Sequence, residues 1–196
     1  MTINKSVLRK IDRTLKEIWV GGIEKDYRND HLLKEDSLKN SLYYHLRRKL
    51  GTHYLESEGI RIFTEFNNAE LSGTGYIADI AIVKLKDYAE YSKNPLQRNV
   101  ETIIAIIELK HSRKEEDFIS DIEKVKNYIK VEEIDCLYYL GFIMEKERDN
   151  PNLLTRRQTE NWAKGKVAVL SANRVAGKKN LQFFMQSCNG LNKDLD

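Results

Sequence analysis

Apolar residues recur near both ends of the first fifty positions at helical spacing: Leu8, Ile11, Leu15 and Ile18 fall three and four apart, and Leu38, Leu42, Leu46 and Leu50 every four. A stripe of this kind covers one face of an α-helix. The pattern predicts a helix over Ser6 to Val20, stopped by Gly21-Gly22, and a second behind Glu35-Asp36-Ser37, stopped by Gly51. Acids at that second start suit the positive end of the helix dipole, and Asp36 or Ser37 can cap its exposed amides. The period then changes. Ile60 to Phe66 reads as a strand, Asn67 to Gly75 as a turn-rich segment, and Ile77 to Val83 and Ile103 to Lys110 as strands separated by a polar stretch from Lys86 to Asn99. Phe118, Ile122, Val125 and Ile129 restore helical spacing from about Lys114 to Lys130, and Cys136 to Met144 follows as an apolar strand. Beyond a polar connection, Thr159 to Lys164 reads as a short helix, and Val167 to Ser171 and Leu181 to Met185 as closing strands.

Three charges interrupt the most apolar of these strands. Asp79 stands among Ile77, Ala78, Ile80 and Ala81, and the run Ile103 to Ile107 ends in Glu108-Leu109-Lys110. Side chains alternate faces along a strand, so Glu108 and Lys110 share a face about 7 Å apart. An isolated buried carboxylate is costly unless it is paired or metal-bound. A divalent cation shared between Asp79 and Glu108 would supply the partner, and the chain reads first as a metal-dependent enzyme.

Composition changes this picture little. The chain has 196 residues, enough for one well-packed domain, and its 41% apolar content is adequate for a core. Charged residues make up 32% but the net charge is only +3, so global basicity does not select a nucleic-acid partner. Cys136 and Cys188 have neither zinc-site nor disulfide-framework spacing, the first residues lead into no apolar signal segment, and no apolar run approaches a bilayer span. A reduced, cytoplasmic protein without a membrane role is the expectation.

The order of helix, three strands, helix and strand, with Asp79 in the second strand and Glu108-Leu109-Lys110 closing the third, resembles the PD-(D/E)xK nuclease superfamily over roughly Glu35 to Met144. Ala78 stands where the namesake motif has Pro. The resemblance implies an α/β restriction-endonuclease-like core (αβββαβ): a central mixed sheet flanked by helices. Here that core, 35–144, would carry an N-terminal helical extension over 1–30 and C-terminal strands over 156–196 within a single domain.

The resemblance also assigns roles. Asp79, Glu108 and Lys110 would be catalytic. Asp79, Glu108 and the Leu109 backbone carbonyl would hold Mg²⁺, with Mn²⁺ able to substitute, and Glu35 is a weaker metal ligand from the helix. Glu65 is a candidate for orienting a ligand from behind. Mg²⁺ takes hard oxygen ligands and keeps several waters, and a bound cation lowers the pKa of a water while a lysine orients it or stabilises charge on the phosphate. The activity implied is a DNA endonuclease using metal-activated water. DNA is favoured over RNA by the resemblance alone, as is a homodimer. Lys93, Arg98, Arg113 and Lys124 are candidate nucleic-acid contacts, because cations grip phosphate without reading sequence. Two readings compete: a catalytically inactive nuclease-fold module that binds nucleic acid or a protein, and an unrelated α/β interaction protein. The second would pair Asp79 with an internal Lys or Arg and lack metal affinity.

Overall fold

Leu38, Leu42, Leu46 and Leu50 are all buried, and the stripe they form lays their helix against one face of a six-stranded sheet. The computed structural model describes residues 3–67, 77–87, 99–130, 136–147 and 152–191. The turn-rich expectation over 67–75 and most of the Lys86-to-Asn99 stretch therefore lie outside the described residues.

The helices are α1 (Lys5–Ile18), α2 (Glu24–Arg28), α3 (Glu35–Leu50), α4 (Thr52–Ser57), α5 (Glu115–Lys130) and α6 (Arg156–Glu160). The strands are β1 (Ile60–Phe66), β2 (Ala78–Leu85), β3 (Val100–Ser112), β4 (Leu137–Glu147), β5 (Val167–Arg174) and β6 (Gln182–Ser187). They pair in chain order, β1-β2-β3-β4-β5-β6. The β1/β2, β2/β3 and β5/β6 pairs are antiparallel, and β3/β4 and β4/β5 are parallel. The protein is thus α/β with a mixed sheet. No helix among the described residues is long and apolar enough to cross a membrane.

Each face of the sheet carries a core. On one, α1 and α3 pack Ile11, Leu15, Leu38 and Leu42 against Ile80, Ile82, Ile107, Leu109 and Tyr139. On the other, α5 packs Phe118, Ile122, Val125 and Tyr128 against Ala81, Ile106, Tyr138, Leu140 and Phe142. Strands covered on both sides read as continuous apolar runs rather than alternating ones. That is the pattern of Ile103 to Ile107.

Gly21 and Gly22 do not stop the first helix. The chain leaves α1 at Ile18, passes both glycines in a π-helical turn, Trp19–Ile23, and re-enters helix as α2. Trp19 and Ile23 are fully buried at the two ends of this turn, and the Trp19 indole donates to the Ser171 carbonyl at 3.1 Å. Those anchors outweigh the local breaking tendency of two glycines. Gly22 serves packing instead, since a Cβ there would lie 3.0 Å from the His45 ring. Gly51, at φ 79°, ends α3 as expected. The short helix expected over Thr159 to Lys164 begins earlier, at Arg156, because the Thr155 hydroxyl caps it by accepting from the Gln158 amide.

Candidate active site

The β2/β3 register builds the site. Ile80 faces Ile107, so one residue further out Asp79 and Glu108 stand opposite each other, on the side of the sheet covered by α5. The Asp79 Oδ2 accepts a hydrogen bond from the Leu109 amide at 2.7 Å, which fixes the carboxylate across the two strands. Lys110, two residues beyond Glu108, lies on the same side. Glu35, at the start of α3, reaches it from the opposite layer with its Oε2 2.7 Å from Lys110 Nζ. The first turn of α3 is set by Ser37, whose hydroxyl accepts from the Lys34 amide and donates to the Lys34 carbonyl.

Helix α5 contributes three side chains spaced along one face, Asp121, Lys124 and Tyr128. Lys124 Nζ is 2.7 Å from Glu108 Oε2 and also donates to the Ile77 carbonyl at 2.7 Å, while the Tyr128 hydroxyl donates to Glu108 Oε1 at 3.2 Å. Asp121 Oδ2 is 3.6 Å from Lys110 Nζ and is buried without a hydrogen-bond partner among the described residues. On the other flank, Lys39 lies 3.6 Å from Asp79 Oδ1 and is ion-paired with Glu65. Glu65 itself adopts φ 49°, a left-handed conformation costly for a residue with a Cβ, between Thr64 and Phe66, whose β2 partners bracket Asp79.

Four carboxylates, Glu35, Asp79, Glu108 and Asp121, thus meet three ammonium groups, Lys39, Lys110 and Lys124. The excess negative charge marks the buried acids. Glu108 is 1% exposed, and burial pushes its carboxyl up to about 8, against the pull of Lys124 and with the repulsion of Asp79 and Asp121 added. Burial likewise raises Asp121 to about 6, although Lys110 and Lys124 oppose the shift. Lys110 is also raised, which for a lysine favours the charged form. Burial works against its charge, but the Glu35 hydrogen bond and the Asp121, Glu35 and Asp79 charges outweigh it and hold the ammonium above the ordinary lysine value.

Among the described residues, no three His, Cys, Asp or Glu side chains converge as a preformed metal cage. Mg²⁺ asks for less, since one or two carboxylates with water and substrate phosphate complete its octahedron. The orphaned Asp121 oxygen and the unbalanced charge of the four acids suit a cation in this cluster.

The structure therefore brings Asp79, Glu108, Leu109, Lys110 and Glu35 into one cluster, with Glu65 one ion pair away through Lys39. Lys124, a candidate nucleic-acid contact, is turned inward onto Glu108. Arg113 is 81% exposed and hydrogen-bonded to Glu145. His111 has a largely buried side chain beside Glu145 at 3.3 Å. Lys93 and Arg98 lie outside the described residues. The sequence reading missed Asp121, Tyr128 and Lys39. Asp121 had a signal: it falls three after Phe118 and four before Val125, on the buried stripe of its helix, where an acid has no structural reason to be.

Comparison of the chain with protein-family models, curated proteins and solved structures gives no match.

Proposed function

We propose that this chain is a Mg²⁺-dependent nuclease of the restriction-endonuclease-like fold that hydrolyses phosphodiester bonds of DNA with an activated water. The observation that carries the reading is Asp79 facing Glu108 across β2 and β3 with Lys110 on the same side and Glu35 upon it. The run α3, α4, β1, β2, β3, α5, β4, with three antiparallel strands and a fourth parallel to the third, supports the αβββαβ order of the resemblance apart from the short inserted α4.

Asp79 and Glu108, with the Leu109 carbonyl, would hold the ion. When bound, it would polarise a phosphoryl oxygen and lower the pKa of a coordinated water. Lys110 stays protonated between Glu35 and Asp121, so it donates to the attacking water or to the phosphate oxygens rather than removing a proton. Glu35 and Asp121 are acceptors for the proton that water gives up. Asp121, raised to about 6, exchanges protons close to neutral pH.

The interaction-protein reading keeps one observation in its favour. Lys124 already neutralises Glu108, and Lys39 faces Asp79, so both acids have internal cations, half of what the rival interaction-protein reading expects. Turnover separates the readings. Supercoiled plasmid is incubated with wild type and with Lys110→Ala in Mg²⁺ and in chelator. Nicking or linearisation by wild type alone, only with Mg²⁺, supports the nuclease; equal cutting by both proteins removes Lys110 from the mechanism, and no cutting by either favours the binding module.

A further inference from the structure

Strands β3, β4 and β5 are parallel, so their C-terminal ends emerge along one edge of the sheet, and β6 begins at that same edge. Lys110 lies near the end of β3 and Arg174 ends β5. Two strand spacings separate these strands and Arg174 stands three residues beyond the level of Lys110, so the two positions lie about 14 Å apart at this edge, Arg174 on the face of α1 and α3 and Lys110 on that of α5. Between them, Glu145 on β4 ties the edge together: its Oε1 lies 3.3 Å from both the Tyr27 hydroxyl and His111 Nε2, and its Oε2 accepts from Arg113 at 3.0 Å. Beyond Tyr27 opens a pocket of about 350 Å³ between α2, the end of β5 and the start of β6. Arg28, Arg174 and Lys179 line it, with Asp30 the one acid among its lining residues.

The charges of this pocket are unequal in availability. Arg28 is paired with Glu24. Arg174 and Lys179 are exposed and make no ion pair among the described residues, although Glu147 stands beside Arg174 in the strand register. Glu145 does not neutralise them, because Arg113, His111 and Tyr27 already occupy its oxygens. A concave site holding two unpaired cations, on the same edge as Lys110, suits a phosphate group. A nucleic-acid backbone carries a phosphate at every nucleotide, so a strand that crosses this edge presents one to each place.

We propose that the pocket lined by Arg28, Arg174 and Lys179 receives a backbone phosphate of the same nucleic-acid strand whose scissile phosphodiester lies at Lys110. The substrate is then a polynucleotide that runs along the strand ends from β3 to β6, not a dinucleotide or a small phosphoester. This assignment rests on the proposed nuclease reading for the identity of its ligand.

Binding tests it apart from turnover. A short fluorescein-labelled DNA duplex is titrated by fluorescence anisotropy in chelator, so that no cleavage occurs, over a series of KCl concentrations. Three proteins are compared: wild type, R174A/K179A, and K164A/K166A, which loses the same charge at the opposite end of β5. The pocket variant is expected to bind about 10-fold more weakly than wild type and to lower the salt slope by about 2, one per phosphate-facing cation, while the control pair changes affinity less than about twofold. Both variants alter side chains at the surface, and thermal midpoints equal to wild type exclude misfolding. Equal losses in the two variants, no loss in the pocket variant, or no DNA binding by wild type overturn the proposal. A wild type that binds in this pocket-dependent way but never cuts plasmid leaves the phosphate site standing and removes the nuclease reading alone.

Discussion

Lys124 Nζ sits 2.7 Å from Glu108 Oε2, joining the middle of α5 to a carboxylate that is 1% exposed inside the sheet. Removing one member of such a pair leaves the other buried without its partner, at about 3 kcal/mol, whereas replacing both with apolar groups is often nearly neutral. Lys124→Met is expected to destabilise the metal-free protein by about 3 kcal/mol, and adding Glu108→Leu to recover most of the loss. Urea unfolding of both single variants and the double variant measures the coupling. Additive losses would mean that the pair is not a unit.

Lys39 is the cation that a metal would have to displace or neighbour at Asp79. Burial opposes its charge, yet the Glu65 hydrogen bond and the Asp79, Glu65 and Asp36 charges keep the ammonium above the ordinary lysine value. Lys39→Met removes a positive charge 3.6 Å from Asp79 Oδ1, worth about 1 kcal/mol. The Mg²⁺ concentration for half-maximal plasmid cleavage is expected to fall roughly fivefold, the equivalent of that energy. A rise would mean that Lys39 positions Asp79 and does not compete for it.

Away from the site, Asp26 ties α2 to α3 by accepting from the Ser41 hydroxyl at 2.6 Å and lying 3.0 Å from His45 Nε2. Burial opposes its ionisation, but the Ser41 and His45 interactions prevail and hold the carboxyl below its ordinary value of 3.8. A carboxyl whose folded-state pKa lies below the unfolded one stabilises the fold above the unfolded pKa and loses that contribution as pH falls through the folded value. Asp26→Asn is expected to cost about 1 kcal/mol at neutral pH, with the difference from wild type closing only below the ordinary carboxyl value. Denaturation midpoints across an acid series check this. A constant difference down to the lowest pH would show that shape, not charge, is lost.

The buried pair on the other face is Asp12 and Lys16, 2.7 Å apart within α1 and both nearly inaccessible. Asp12 Oδ1 also accepts from the Tyr139 hydroxyl at 2.9 Å and the Asn189 amide at 2.7 Å, so it joins α1 to β4 and to the segment after β6. Asp12→Ala leaves a lysine and two donors without their acceptor and is expected to cost about 4 kcal/mol, against a smaller loss for Asn189→Ala. Chemical denaturation ranks the two. Equal losses would locate the stabilisation in the C-terminal segment instead.

The stripe of Leu38, Leu42, Leu46 and Leu50 and the apolar run Ile103 to Ile107 made α3 and β3 legible, because burial on one face or on both writes itself into the spacing of residues. Asp79 and Glu108-Leu109-Lys110 were legible as misplaced charges. Their neighbours were not. Lys124 and Tyr128 meet Glu108 only after α5 has packed on the sheet, and Lys39 reaches Asp79 from the opposite layer, so no local spacing encodes either encounter, while Glu35 was a candidate through the family resemblance and not through spacing. The continuation of helix through Gly21 and Gly22 was hidden for the same reason: Trp19 and Ile23 are held by the tertiary core, which overrides a propensity of about 1 kcal/mol per glycine.

Asp79 and Glu108 are proposed to hold a divalent cation together, and Mn²⁺ binding reads this out without turnover. Free Mn²⁺ is followed by electron paramagnetic resonance with a short DNA duplex present, using Lys110→Ala to prevent turnover and Lys110→Ala/Asp79→Asn as the comparison. Binding beyond that of the DNA alone in the first protein, lost in the second, is the predicted result. Equal binding in both proteins, no greater than that of the DNA alone, would contradict it.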